Sequence, residues 1–334
     1  MCSSSSTVRK GLRRGNIKLL CKSCGKWFQI NRKRKLDKKF ILIQHLDGAS
    51  HRSIADQYSF SPMTSYRYCK QTLKALPLCA DITRKYCSRF SGILLVDGKF
   101  VEVKGYQYKV PVIYGIDFLT HDIPTYVFAT SENYHVLKKF FTSLRLLNYP
   151  LQSLVSDENM NFPHACFDIY PKASWQLCTN HLKENISRSL GVRTNPKYMS
   201  FMKGIETMFK NKISKDNFNK LARDLLTKYS TDELCVRILL DIASKQANLQ
   251  AHLIVKKTPT TNNLIECMNS HLQGRLETIK GFESFQHANL WLNGYFIRRR
   301  TKRLTDCEGA FKKLNGMTPL QHSSKYDVDF STFF

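Results

Sequence analysis

The chain has 334 residues, 42% of them hydrophobic, with 52 Lys and Arg against 26 Asp and Glu and a formal net charge of +26. That length allows two or three domains, and the apolar share excludes wholesale disorder. No apolar stretch reaches membrane-spanning length and no secretory leader pattern is present, so an intracellular protein is expected; its charge predicts attraction to a polyanion without choosing among DNA, RNA and an anionic membrane.

Residues 1–35 are basic and contain the string CKSCGKWF. Cys21 and Cys24 have the spacing of half a structural zinc site, which needs four ligands. Cys2 is the one upstream cysteine, so three ribbon-type ligands are present. Three readings stay open: an earlier start supplies the fourth, a non-cysteine ligand completes the site, or no zinc binds. The eleven cysteines are odd in number and scattered, which argues against a disulfide framework. Arg32, Lys33, Arg34 and Lys35 form the densest basic run, a DNA-facing arm or a solvated tail.

Residues 36–90 read as a helix-turn-helix DNA-binding region. Leu36, Phe40, Ile43 and Leu46 have helical spacing, and Asp47-Gly48 ends the pattern. A short segment with Ile54 and Ala55 inward follows, and Ser61-Pro62 opens a third helix. That helix carries Thr64, Ser65, Tyr66, Arg67 and Lys70, a hydroxyl-rich basic set suited to DNA.

Residues 91–300 change texture. GILLVDGKFVEV, YKVPVIYGIDF and IPTYVFATS predict three antiparallel strands. An amphipathic helix over ENYHVLKKFFTSLRLL, a strand LQSLVSD, a short helix and a strand SWQLC follow. The order βββ-α-β-α-β-α predicts an α/β (α+β) domain, a ribonuclease H-like mixed sheet flanked by helices. A helical insertion is expected at about 182–258, two helices at 260–300, and a tail at 301–334 that docks back through LNGMTPLQHSS.

Asp97 and Asp157 each follow an apolar run, and Glu266 lies near the start of a helix after Thr260 and Thr261, which suit capping. Carboxylates are rarely buried unless paired or bound to metal, so three brought together would suit a divalent cation and phosphoryl transfer. Glu102, five residues from Asp97, faces the other side of the strand. Glu277 lies eleven helical residues beyond Glu266, roughly 16 Å, too far to share an ion. Leu264, Met268, Leu272 and Leu276 would pack the helix on the sheet, with Asn262, Glu266, Asn269 and Gln273 as a polar stripe. Asp117 and Asp168 compete for the site, and Asp157 has a second reading as a helix cap.

LLVDGKFV, LVSDENMNF, WQLCTNHLKENI and TTNNLIECMNSHLQGRLETIKGF, in this order and spacing, resemble the bacterial insertion-sequence transposases of the Mutator type. The resemblance covers nearly the whole chain and departs from the group at the zinc ribbon, where one Cys-x-x-Cys pair is reduced to Cys2. It implies an Asp-Asp-Glu site of Asp97, Asp157 and Glu266 holding two Mg²⁺ (or Mn²⁺) ions. Cys178 and His181 match the group's Cys-x-x-His, for which a structural or DNA-positioning role is expected rather than metal binding. The resemblance also implies DNA partners, both terminal inverted repeats and target, a homodimer or higher oligomer on DNA, and a nucleoid-associated location in a prokaryotic cytoplasm. Arg298, Arg299 and Arg300 are further candidates for phosphate contact, as is Lys280. Two alternatives stay open: a catalytically silent transposase relic acting as a repressor, and a ribonuclease H-like nuclease without strand transfer.

Overall fold

A computed structural model describes residues 3–13, 16–30, 37–210 and 213–334. Cys2 and the run Arg32 to Lys35 lie outside them. Near the N-terminus, β1 (Thr7–Arg13), β2 (Asn16–Cys21) and β3 (Trp27–Ile30) form an antiparallel sheet in that order. Cys21 ends β2 buried and Cys24 lies exposed in the turn to β3. The turn closes through Gly25 N–H to Cys21 O at 3.0 Å. Gly25 has φ +67°, which glycine adopts without the steric cost of a Cβ.

Helices α1 (Lys38–Leu46), α2 (His51–Tyr58), α3 (Pro62–Ala75) and α4 (Cys79–Tyr86) come next. Asp37, Ser50 and Ser61 cap the first three, each accepting a backbone N–H in the first turn. The buried face of α1 is Ile41, Leu42, His45 and Leu46, whereas Phe40 is exposed and Ile43 half-buried. Of the expected stripe, Leu46 is buried, Phe40 and Ile43 are turned from the inward face, and Leu36 lies outside the described residues. Apolar spacing alone left several faces of this mostly apolar helix equivalent, and packing chose among them. Ile54 and Ala55 are buried as expected.

The main sheet has strands β4 (Ile93–Val101), β5 (Val110–Asp117), β6 (Tyr126–Phe128), β7 (Ser153–Ser156) and β8 (Ser174–Leu177). Their spatial order is β6-β5-β4-β7-β8, with β4, β5 and β6 antiparallel and β4, β7 and β8 parallel. Helices α5 (Tyr134–Leu146) and α6 (Asn161–Ile169) cover one face through Leu137, Phe140, Phe141, Leu144, Phe162 and Ala165. Strand residues Leu94, Val96 and Leu154 face them, while Ile93, Leu95 and Val155 face the other way. This is the period-two alternation of a sheet covered on both sides.

The expected helical insertion contains α7 (Thr179–Ser189), α8 (Met199–Met208), α9 (Lys215–Lys228), α10 (Glu233–Ser244) and α11 (Gln246–Leu249). Its Leu225, Ile238, Leu239 and Ile242 are buried, but Leu226 is 37% exposed. The second sheet face is covered by α12 (Asn263–Ile279) and α13 (Phe285–Thr301). Helix α13 is buried continuously from Trp291 to Ile297, because the sheet lies on one side of it and α1, α3 and α4 on the other. Gly294 permits this closeness: a Cβ there would stand 2.3 Å from Leu73 Cδ2. Asn293 Oδ1 accepts the Cys79 N–H at 2.9 Å. Helices α1–α4 therefore share one core with the sheet. The tail returns as α14 (Pro319–Ser323), with Ser323 O accepting the N–H groups of Ser88 and Arg89, so the docking expected of LNGMTPLQHSS is present. Among the described residues no helix is long and apolar enough to cross a membrane.

Candidate active site

Strand register brings the two aspartates together. Leu95 pairs with Val155 across the parallel strands β4 and β7. Asp97 and Asp157 each lie two residues further along, so they sit level on neighbouring strands that run about 4.8 Å apart, Asp97 midway along β4 and Asp157 just past the end of β7. Both share the side-chain parity of Leu95 and Val155, the face that α12 covers. Glu266 lies in the first turn of α12.

Asp97 is held at both oxygens. Its Oδ1 accepts the Gly98 N–H at 2.8 Å, and its Oδ2 accepts Asn269 Nδ2 at 2.7 Å. Asn269 in turn accepts the Tyr114 hydroxyl at 2.6 Å. Burial pushes the Asp97 carboxyl up to about 6; the Gly98 N–H opposes this, and the Asp157 and Glu266 charges add to it. Asp157 Oδ1 accepts the Asn159 N–H at 3.1 Å. It does not cap α6, whose N-cap residue is Met160 with no side-chain bond.

Glu266 faces a histidine. His181 Nδ1 stands 3.6 Å from Glu266 Oε1, and Cys178 Sγ donates to Asn262 Oδ1 at 3.0 Å. Ligand atoms of Cys178, His181 and Glu266 lie within 4.8 Å of one another. Contact with the Cys178 sulfur, then the charges of Glu266 and Asp157, push His181 up to about 9 against the effect of burial. Its Nδ1 is buried and faces the glutamate without a hydrogen bond. The bond from Cys178 to Asn262 Oδ1 also explains a correction: Asn262 is the N-cap residue of α12 but its side chain caps nothing, and neither Thr260 nor Thr261 caps the helix. Thr260 O instead accepts the Thr179 N–H, tying α12 to α7. The buried residues of α12 are Ile265, Met268, Asn269 and Leu272; Leu264 and Leu276 are half-buried.

Two residues at the site escaped the sequence. Asn269 lies on the polar stripe of α12, where the sequence assigns it no role, and it is 8% exposed and bonded to Asp97. Its spacing three residues after Glu266 was a usable signal. Glu132, in the loop before α5, had none. Its carboxylate lies over Gly98, where a Cβ would stand 2.8 Å from Oε1. Burial, then the Asp157 and Asp97 charges, push it up to about 7.

The competing acids have other partners. Asp117 is buried and accepts from Ser91, Thr120 and Tyr149. Asp168 pairs with Lys138 on the surface. Glu102 pairs with Lys109, and Glu277 accepts from Gln273.

The candidate DNA contacts divide. Arg67 and Lys70 are exposed on α3. Ser65 is fully buried, 3.0 Å from His51 Nδ1, so it presents nothing to DNA. Thr64 Oγ1 bonds the capping Ser61, and Tyr66 packs edge-on to His51 and His287. Arg298 forms a two-pronged pair with Asp47 at 3.1 and 2.6 Å. Arg300 is 1% exposed and grips Asp122, so it is a core residue and not a phosphate contact. A short basic run invites one reading for all its members, but successive helix residues point about 100° apart.

No curated protein sequence matches the chain. Among solved structures, the Drosophila P element transposase strand transfer complex is similar at a TM-score of 0.48 and 12% identity, covering 81% of this chain and 94% of that one. The family model described as "Transposase, Mutator family" matches residues 81–292, from α4 to the middle of α13, which includes both strand aspartates, Cys178, His181 and Glu266. Since that span is well over half of the molecule, the chain belongs to the Mutator family of transposases.

Proposed function

We propose that this protein is a divalent-metal-dependent DNA transposase that cuts at transposon terminal repeats and joins the freed strand to target DNA, with Asp97, Asp157 and Glu266 as its Asp-Asp-Glu site. The observation that carries this reading is the level placement of Asp97 and Asp157 on adjacent parallel strands beneath the helix that bears Glu266. Burial raises the Asp97 carboxyl, the nearby Asp157 and Glu266 charges add to this, and a bound cation would favour its ionised form. Oxygen ligands of this kind suit Mg²⁺ or Mn²⁺. Bound there, such ions supply Lewis-acid polarisation of the scissile phosphate and lower the pKa of an attacking water.

The protein's own groups prepare the site. Asn269 and the Gly98 N–H fix both oxygens of Asp97, so its carboxylate is oriented before substrate arrives. His181, beside Cys178, faces Glu266 at 3.6 Å and, when protonated, would balance part of the site's negative charge. The order of the five strands and the α12 cover support a ribonuclease H-like reading of the domain. Helices α2 and α3, with exposed Arg67 and Lys70, are read as a helix-turn-helix that holds DNA. Cys21 and Cys24 supply half of a structural zinc site.

The test compares wild type with Asp97→Asn, Asp157→Asn and Glu266→Gln on a duplex carrying the terminal repeat, with Mg²⁺. Wild type is expected to release cut ends and joined products, and each variant to lose both by at least about 10²-fold. Mg²⁺ should raise the unfolding temperature of wild type and not of Asp97→Asn. Cleavage by the variants at the wild-type rate would refute the triad. Cuts without joined products from wild type would make the protein a nuclease.

A further inference from the structure

The three arginines that close α13 have three different fates. Arg298 is committed to Asp47 and Arg300 to Asp122. Arg299 points between them, and its Nε is buried with no hydrogen-bond partner. It lines a cavity of about 410 Å³ bounded by α12, the end of α13 and the segment that follows. Arg275, Lys302 and Arg303 line the same cavity, against two acids, Asp306 and Glu308. Lys302 also stands 3.7 Å from Asp47, but that carboxylate is gripped by Arg298 at 2.6 Å and leaves the half-exposed ammonium partly unneutralised. His121 Nε2, also buried without a partner, lies on another wall. Burial and then the charges of Arg299, Arg275 and Lys302 push the His271 imidazole of this cavity down, with Asp306 opposing. The cations therefore prevail over the acids at that wall.

A buried N–H left without an acceptor is unfavourable, and a bound oxyanion would offset that cost. The position of the cavity says which oxyanion. Cys267, His271 and Arg275 recur every fourth residue on one face of α12, and Cys267 directly follows Glu266. Eight helical residues cover roughly 12 Å, the axial length of about three to four phosphates at 3.4 Å each. A strand leaving the carboxylate site along α12 would lay consecutive phosphates against this wall.

We propose that this cavity is a phosphodiester-binding channel for the DNA strand next to the scissile bond, with Arg299 as its central contact and Arg275 and Lys302 beside it. The inference rests on the DNA-transposase reading and adds the path of the strand. It separates Arg299 from its two neighbours, whose charges are already neutralised within the protein.

The test uses the full chain without divalent metal, so that no cleavage intervenes, and a short duplex of mixed sequence. Affinity is measured across a range of NaCl for wild type, Arg299→Gln, Lys302→Gln and, as a remote control, the exposed Lys172→Gln. Each lost phosphate contact should reduce the slope of log K against log salt by about 0.9 and weaken binding several-fold. Lys172→Gln should leave the slope unchanged. Alkylation of the exposed Cys267, read by peptide mass, gives a local signal. The duplex should slow it in wild type and not in Arg299→Gln. If Arg299→Gln fails to fold, Lys302→Gln, on the half-exposed rim, carries the same test. Wild type that binds the duplex while both cavity variants keep the wild-type slope and Cys267 stays unprotected would overturn the channel alone. Protection by inorganic phosphate and not by duplex would overturn it too. Absence of any duplex binding by wild type would overturn the transposase reading beneath it.

Discussion

Replacing Arg300 by Met tests whether the C-terminal tail is held by a buried charge. Arg300 and Asp122 have fully buried side chains. The guanidinium donates to both oxygens of Asp122 at 2.8 Å, to Cys79 O at 2.9 Å and to Cys87 Sγ at 3.2 Å. Ser323 Oγ, from α14, also donates to Asp122. Methionine keeps most of the stem volume, so the loss is electrostatic rather than a cavity. Asp122 would remain buried with only Ser323 and weak thiol contacts. Truncating one member of such a pair costs about 3–5 kcal/mol, because the other charge is left uncompensated. At roughly 2.1 cal/mol/K per residue, a cooperative unit of this length has an unfolding entropy near 0.7 kcal/mol/K, so the unfolding temperature should fall by about 4–7 °C. Calorimetry at neutral pH measures it. Arg300→Lys, which keeps the charge but loses the fork, should fall between the two. In a double variant, Asp122→Leu should recover part of the Arg300→Met loss, since no buried charge then remains. A fall under about 1 °C for Arg300→Met, or strict additivity in the double variant, would refute the reasoning.

Other perturbations probe the site and the helical unit. Asn269→Leu removes the donor to Asp97 and strands the Tyr114 hydroxyl, so cleavage should drop about 10–10²-fold while circular dichroism keeps its helical signal. Tyr114→Phe should cost far less activity, because Asp97 keeps its donor. Gly98→Ala would drive a Cβ to within 2.8 Å of the Glu132 carboxylate, which sits at the end of a flexible side chain that can swing aside, so the destabilisation should stay under about 1 kcal/mol. Adding Glu132→Ala should relieve most of that in a urea titration; no relief would show that the crowding lies elsewhere. His51, stacked on His45 at 4.1 Å, is pushed down to about 4 by burial and by its neighbours' charges. The unfolded chain takes up this proton first, near pH 6.5, so the stability it contributes is complete above that and declines as pH falls toward 4. Discounted for the ring's partial exposure, this contributes about 1–2 kcal/mol. His51→Gln should flatten the urea midpoint between pH 7 and 4.5 by that amount, and an unchanged pH slope would count against it.

What the sequence determined by itself was local. Runs rich in Val, Ile, Tyr and Phe marked the first three main strands, and Ser50 and Ser61-Pro62 marked the starts of α2 and α3, because strand preference and caps act within a few residues. Asp97 and Asp157 stood out because an acid after an apolar run is costly without a purpose. Tertiary structure decided everything that depends on which element lies against which. Register on β4 and β7 made two distant aspartates level neighbours. The seat of α12 turned Asn269 from a surface amide into the partner of Asp97, and the fold of a loop brought Glu132 over Gly98. Arg298, Arg299 and Arg300 are alike in the sequence, yet one grips the α1–α2 turn, one lines a cavity and one closes the core. Helical rotation separates them by about 100° per residue, and only the surroundings of each direction say what its charge will meet.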